Sequence, residues 1–62
     1  MGNAVETYAS RPPEDLMIGE YVTIYYGADE REISSFVSAN SDSHVTLDGD
    51  VVIAHSDIHF IE

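Results

Sequence analysis

The chain has 62 residues, no cysteine and no tryptophan, and its twelve acidic residues face two arginines for a formal net charge of −10. This length predicts one small domain that buries only roughly 60% of its unfolded surface. Disulfides and thiolate metal sites are excluded, no apolar run approaches the roughly 20 residues of a membrane helix, and Met1 does not open a signal-peptide pattern. We therefore expect a soluble, cytoplasmic protein.

The N-terminal part of the chain shows no clear hydrophobic period, which predicts a flexible acidic arm over residues 1–15 before a domain of residues 16–62. The run Pro12-Pro13-Glu14-Asp15 can open one helical turn, since proline is tolerated at a helix start and acids complement its positive end. A turn this short is not stable alone, so Leu16 or Ile18 must pack on the domain.

From Glu20 onward the apolar residues alternate with a period of two, which predicts five strands, over residues 21–26, 32–39, 44–47, 51–54 and 58–61. Turn residues separate them. Asp48-Gly49 is the strongest hairpin signal because both residues readily take positive φ angles. The alternation predicts a core containing Val22, Ile24, Ile33, Val37, Ala39, Val45 and Leu47.

Five such strands cannot stay in a flat open sheet, because both edges and one apolar face would be exposed to water. Closing the sheet into a small, strongly bent barrel removes both problems. The predicted fold is therefore all-β, a small five-stranded barrel with a short N-terminal helical turn.

The order of these features resembles the Sm-like barrels, a group of SH3-like barrels that includes the bacterial RNA chaperone Hfq. A short helical turn, three bent strands, a turn and two short closing strands are common to both. The resemblance implies an SH3-like or Sm-like barrel, and a ring of subunits that contacts RNA through His55. The local matches are Val22-Thr23-Ile24-Tyr25, Val37-Ser38, Val45-Thr46-Leu47 and Val52-Ile53-Ala54-His55, leading into Ile58 and Ile61.

The chain also departs from that family. A Tyr-Lys-His sequence ends the fourth strand of the family, whereas Ile53 and Ala54 precede His55 here. Ser34 and Ser35 stand where a glycine lets the second strand bend. Since a fold does not fix a function, the resemblance supports the architecture more than it supports RNA binding.

The charge of the chain bears directly on its partners. Phosphate backbones are bound through Lys and Arg, and only Arg11 and Arg31 are present, which argues against autonomous nucleic-acid binding. The acidity fits solubility in a salt-rich, halophilic cytoplasm, or an acidic face that docks on a basic partner. An RNA-binding ring subunit that uses His55 and Arg31 is kept as one alternative, and an acidic inhibitor that mimics nucleic acid as another.

No catalytic constellation stands out, so we expect neither an enzyme nor a cofactor. Ser56 lies beside His55, but adjacent residues on a strand face opposite ways, which is wrong for a nucleophile and its base. His55, Asp57 and His59 form an H-x-D-x-H pattern that would hold a metal if the strand were continuous. We favour the other interpretation, in which Ser56 breaks the strand and the side chains diverge.

The aromatic residues predict an interface. Tyr21 and Tyr25 should point outward from the first strand, and Phe36 has the same outward phase on the second. Three aromatics on one outer face would form an apolar patch of the kind that marks interfaces, unless Leu16 and Met17 fold over it. The sequence thus predicts a non-catalytic module that binds a protein partner with a basic surface, or a second copy of itself, with acidic residues at the rim.

Overall fold

The computed structural model of the chain describes residues 11–62, so most of the predicted N-terminal arm, residues 1–10, lies outside the described residues. A short 3-10 helix, Pro13–Asp15, comes first, and a second, His55–Asp57, separates the last two strands. The all-β prediction is confirmed, and each predicted strand agrees with the observed one to within a residue at either end. The strands are β1 (Tyr21–Tyr26), β2 (Arg31–Asn40), β3 (His44–Leu47), β4 (Val51–Ala54) and β5 (Ile58–Ile61).

The five strands form one antiparallel sheet in the order β4-β3-β2-β1-β5, curled into a half-barrel. The ten-residue β2 belongs to both halves of this sheet. Its first part, Arg31 to Phe36, pairs with β1, whereas its last part, Val37 to Asn40, pairs with β3. The sheet therefore curls about the middle of β2, which allows one apolar face to close around a common core.

The core is built from the inward residues of every strand and from one residue of the N-terminal segment. Leu16 is buried, whereas Ile18 is 72% exposed, so Leu16 fastens the first 3-10 helix to the sheet. None of the buried residues in the described part of the chain is polar or charged. Each buried apolar side chain stabilises the fold by about 1.5–3 kcal/mol relative to the same side chain exposed to water. The buried residues are Leu16, Val22, Ile24, Val37, Val45, Leu47, Ile53 and Ile61.

The prediction that Ala39 belongs to the core is wrong, because Ala39 is exposed. The register between β2 and β3 shifts between Val37 and Ala39, which is the mark of a β-bulge. Beyond the bulge Asn40, and not Ala39, lies opposite the buried Val45. The extra residue, Ser38, is held by its side chain, which donates to the Thr46 carbonyl at 3.1 Å. Because of this extra residue, the side chains at the end of β2 face the opposite way from the one that simple alternation predicts.

The hairpin predicted at Asp48-Gly49 is confirmed. Asp48 has a φ of 54° and Gly49 a φ of 82°, and the Asp50 amide donates to the Leu47 carbonyl at 3.1 Å. Two central residues with positive φ are typical of the turns whose twist matches that of the flanking strands.

The N-terminal segment is tied to the far end of β2 by one side chain. The Asn40 amide group donates to the carbonyl oxygens of Pro13 and Leu16, at 3.0 and 3.1 Å. Its oxygen lies 2.9 Å from Nε2 of His55, at the start of the second 3-10 helix. Asn40 thereby joins three separate parts of the chain. Within residues 11–62 we find no helix with the length and apolar character needed to cross a membrane.

Candidate functional site

The outer face of β1 and β2 carries an exposed aromatic pair. Tyr21 lies directly opposite Phe36 in the antiparallel register. Their ring centroids are 4.9 Å apart with planes at 69°, an edge-to-face contact. Tyr21 is 61% exposed and Phe36 is 56% exposed. The two rings hold each other in position while most of their surface stays in contact with water.

Tyr25 lies on the same outer face but belongs to a different pair. Thr23 and Ser34 occupy the positions between Tyr25 and the first pair, and their hydroxyls are 2.7 Å apart. The Tyr25 ring instead packs on Phe60 of β5, with centroids 5.9 Å apart. The three aromatics predicted to share one face thus fall into two groups divided by a polar step.

Phe60 was not among the predicted site residues. Its neighbour Ile61 is buried, so the alternation of β5 carries a signal that Phe60 faces the other way. Which strand would lie beside β5 could not be read from that alternation. The pairing of β5 with β1, in which Phe60 is opposite Tyr25, is set by the tertiary fold.

Two further large apolar residues are exposed in the segment that leads into β1. Met17 and Ile18 are 68% and 72% exposed, and they lie in a turn that the Glu20 amide closes by donating to the Met17 carbonyl at 3.1 Å. Leu16 is in the core, so the N-terminal turn does not cover the aromatic pair through that residue. We call the exposed surface of Tyr21 and Phe36 the Tyr21–Phe36 face.

An ion pair neutralises the acid that lies within this stretch of chain. Arg11 donates to both carboxylate oxygens of Glu20, at 2.9 and 3.2 Å, and the Met17 amide donates to the same group at 3.1 Å. The hydrogen bond from Arg11, followed by that from the Met17 amide, holds the pKa of Glu20 below its ordinary value of 4.5.

Exposed acids border the other side of the Tyr21–Phe36 face. The Asp48 amide donates to the Phe36 carbonyl at 2.9 Å, which places the β3–β4 turn beside Phe36. Asp48 and Asp50 are both exposed in that turn. The exposed rings therefore lie beside an acidic turn. Neither Asp48 nor Asp50 forms an ion pair with Arg11 or Arg31 within residues 11–62.

The second aromatic pair has a more strongly negative environment. The Tyr25 hydroxyl donates to the Glu62 carboxylate at 3.2 Å. This hydrogen bond, then partial burial, then the charges of Glu32 and Glu62 raise the pKa of Tyr25 above its ordinary value of 10. An open depression of about 390 Å³ lies here, lined by Tyr25, Glu30, Glu32 and His59.

The histidines have separate structural partners. The predicted break at Ser56 is observed, since His55 and Asp57 lie in the second 3-10 helix and His59 lies in β5. Nε2 of His59 is 2.7 Å from the Gly27 carbonyl, and His44 contacts its neighbour Ser43. Among residues 11–62, no three His, Asp or Glu side chains are grouped as a metal site would require.

The two residues of the RNA-binding alternative are each engaged within the chain. His55 contacts Asn40, as described above, and Arg31 lies 3.7 Å from the Asp29 carboxylate with both side chains mostly exposed. Arg31 begins β2, whereas the partner of His55 ends it. The structure therefore gives these two residues different partners at opposite ends of one strand.

Comparison with known proteins does not assign the chain to a family. No protein-family model matches it, and neither does any curated protein or any solved structure. The Sm-like resemblance thus has no independent match, and the architecture that stands is a curled, five-stranded antiparallel sheet.

Proposed function

We propose that this protein is a non-catalytic interaction module that binds a protein partner through the Tyr21–Phe36 face. The observation that carries the proposal is the edge-to-face pair of Tyr21 and Phe36, which stays more than half exposed in the folded domain. Large apolar groups that are prearranged on a rigid sheet lose little conformational entropy on binding. Aromatic side chains of this kind are typical anchors of protein interfaces.

The surroundings of this face favour a partner with a basic surface. Asp48 and Asp50 border Phe36, and the chain carries a net charge of −10 with no lysine. An acidic rim around an apolar centre speeds encounter with a basic surface and repels acidic ones. Tyr25 would take part only if the partner extends past Thr23 and Ser34.

The proposal is tested by photo-crosslinking in a lysate of the cells that make the protein. A benzophenone amino acid replaces Phe36 in one sample and Val52 in a matched control, since Val52 is 61% exposed but lies on β4, which pairs with β3 and not with β1 or β2. We expect a discrete adduct from position 36 that weakens when Tyr21→Ser is added, and none from position 52. Light scattering identifies the case in which the partner is a second copy.

Equal crosslinking from both positions, or from neither, would contradict the proposal. Denaturation curves of the variants distinguish loss of the interface from loss of the fold. Because Tyr21 and Phe36 are mostly exposed, their replacement by serine should leave the domain folded.

A second candidate function is an RNA-binding subunit of an Sm-like ring that uses His55 and Arg31. It is favoured by the sheet order, in which β4 forms an edge of the sheet described for residues 11–62, because an edge strand can pair with a strand of another copy. A molar mass of about six or seven subunits would support a closed ring. Binding of a uridine- or adenine-rich oligonucleotide should then weaken steeply with salt. A monomer with no such binding would eliminate this candidate.

A further inference from the structure

The depression beside the second aromatic pair has walls contributed by three strands and a turn. Tyr25 comes from β1, Glu32 lies directly opposite it on β2, Glu30 is in the connecting turn, and His59 comes from β5. Its volume of about 390 Å³ is at the small end of the roughly 300–1,000 Å³ of ligand pockets. It suits a single side chain better than a large ligand.

These walls are held in place by contacts outside the depression. Phe60 packs on the Tyr25 ring, and the Tyr25 hydroxyl donates a hydrogen bond to the Glu62 carboxylate. The Gly27 carbonyl accepts hydrogen bonds from the Glu30 amide at 3.1 Å and from the His59 ring at 2.7 Å. The aromatic wall and the turn that carries Glu30 are therefore both fixed to β5 before any ligand arrives.

We infer that this depression binds the guanidinium group of an arginine side chain presented by the protein partner. A cation is attracted to the face of an aromatic ring, here that of Tyr25. The carboxylates of Glu30 and Glu32 supply charged acceptors beside the ring, and a guanidinium can bond to such groups with paired N–H donors. The inference rests on the proposed interaction function and names the chemistry that the partner would present.

Other ligand classes fit this site less well. The carboxylates repel phosphate and other anions. A divalent ion would find too few oxygen ligands here, since Ca²⁺ needs six to eight of them. Guanidinium is favoured over ammonium because it is planar, stacks on aromatic rings and is more weakly hydrated. The hydrogen bond to Glu62, then partial burial, then the charges of Glu32 and Glu62 raise the pKa of Tyr25, and of these carboxylates Glu32 lines the depression.

The experiment follows amide chemical shifts of the whole protein while Nα-acetylarginine methylamide is added. The citrulline analogue, which has nearly the same shape but no charge, is the control ligand. We expect arginine to shift residues 25, 30, 32 and 59, and citrulline to leave them unchanged. Binding by the lysine analogue should be weaker than binding by arginine.

Variants separate this site from the general acidity of the chain. The double substitution E30Q/E32Q should weaken arginine binding roughly tenfold, because it removes both charged acceptors. The matched double substitution E14Q/D42N removes the same total charge at exposed positions elsewhere and should change binding by less than about twofold. Tyr25→Phe should retain binding, whereas Tyr25→Leu should weaken it about threefold.

Three results would overturn the inference: no shift with arginine, equal shifts with citrulline, or equal weakening by the two double substitutions. The arginine titration itself does not depend on whether the Tyr21–Phe36 face binds a partner. Tyr21→Ser combined with Phe36→Ser should leave arginine binding intact, and the crosslinking from position 36 does not depend on the arginine titration. Failure of one test can therefore be told apart from failure of the other.

Discussion

Two aromatic pairs on the outer face of one strand differ sharply in their surroundings. The Tyr21–Phe36 pair is more than half exposed, whereas Tyr25 and Phe60 are both half-buried and Tyr25 is hydrogen-bonded to Glu62. The difference arises from the neighbouring strands. Within residues 11–62, β5 pairs with β1 at residues 24–26, beside Tyr25 but not beside Tyr21, whereas β2 lies beside both tyrosines.

This contrast shows how one type of residue can serve two purposes. At the end of β1 that β5 does not cover, Tyr21 and Phe36 are more than half exposed and can contact another molecule. At the end covered by β5, the ring becomes one wall of a depression whose other walls are carboxylates and a histidine. The chemistry available to each tyrosine is decided by its place along the strand and not by its outward phase, which is the same for both.

The largest effect is expected from a substitution in the core that supports both aromatic pairs. Ile24 is fully buried and lies opposite Ile33 on β2 and Ile61 on β5. Ile24→Ala should lower the free energy of unfolding by about 2–5 kcal/mol in urea denaturation, because it leaves a cavity in a close-packed core. The control Val52→Ala should stay within about 0.5 kcal/mol. Similar values for the two variants would show that the two pairs do not depend on a common core.

The next effect acts mainly on the N-terminal segment that precedes Tyr21. Asn40→Ala removes the two hydrogen bonds that hold the carbonyls of Pro13 and Leu16, together with the contact to His55, and should cost about 1–3 kcal/mol. Amide shifts should change around Met17 and Tyr21 and remain constant around Tyr25. Ala39→Ser, at the exposed neighbouring position, is the matched control. Changes of equal size at both ends of β1 would refute the local role of Asn40.

A direct comparison of the two pairs is expected to give a smaller difference. Phe60→Ala should destabilise the domain by about 1 kcal/mol more than Phe36→Ala, since the Phe60 ring loses more buried area. Urea denaturation of the two variants under identical conditions measures this difference. The reverse order would mean that the Tyr21–Phe36 pair contributes more to folding than its exposure implies.

The acid limb of the pH profile tests the ion pair next to Tyr21. Because the folded-state pKa of Glu20 is lowered, its contribution to stability is fully present above its ordinary value of 4.5 and is lost as the pH falls through the folded-state value. Glu20→Gln and Arg11→Gln should each reduce the loss of stability seen on acidification. An acid limb that both substitutions leave unchanged would exclude a contribution from this pair.

The alkaline limb should show the smallest effect and concerns the other pair. The folded-state pKa of Tyr25 is raised, so its contribution is present below its ordinary value of 10 and is lost as the pH rises through the folded-state value. Tyr25→Phe removes this loss. Absorbance titration of the phenolate bands in the native protein and in Tyr25→Phe provides the measurement. The difference between the two titrations gives the pKa of Tyr25 itself. A difference centred on the ordinary tyrosine value of 10 would contradict the shift.

Local patterns were enough to predict most of the strands. β-branched and aromatic residues dominate Tyr21–Tyr26, apolar and polar residues alternate in His44–Leu47, and Asp48-Gly49 has the conformational freedom that a tight turn demands. The outward phase of Tyr21 and Phe36 follows from the same alternation. In these segments, nearest neighbours along the chain already carry the information.

Two features could not be predicted from such local patterns, because each depends on contacts between residues distant in sequence. The bulge at Ser38 exposes Ala39 and turns Asn40 inward, and it is stabilised by groups on the β3–β4 hairpin. The partnership of Tyr25 with Phe60 joins residues 35 positions apart across the β1–β5 pairing.

The sequence by itself therefore determined the secondary structure, most of the core and the outward direction of the aromatic residues, because hydrophobic alternation and turn chemistry act over a few residues. Only the tertiary structure decided which aromatics meet, which remain exposed and where the carboxylates surround a ring. Those outcomes depend on strand pairing and on a single inserted residue in β2, and a period of two along one strand contains neither.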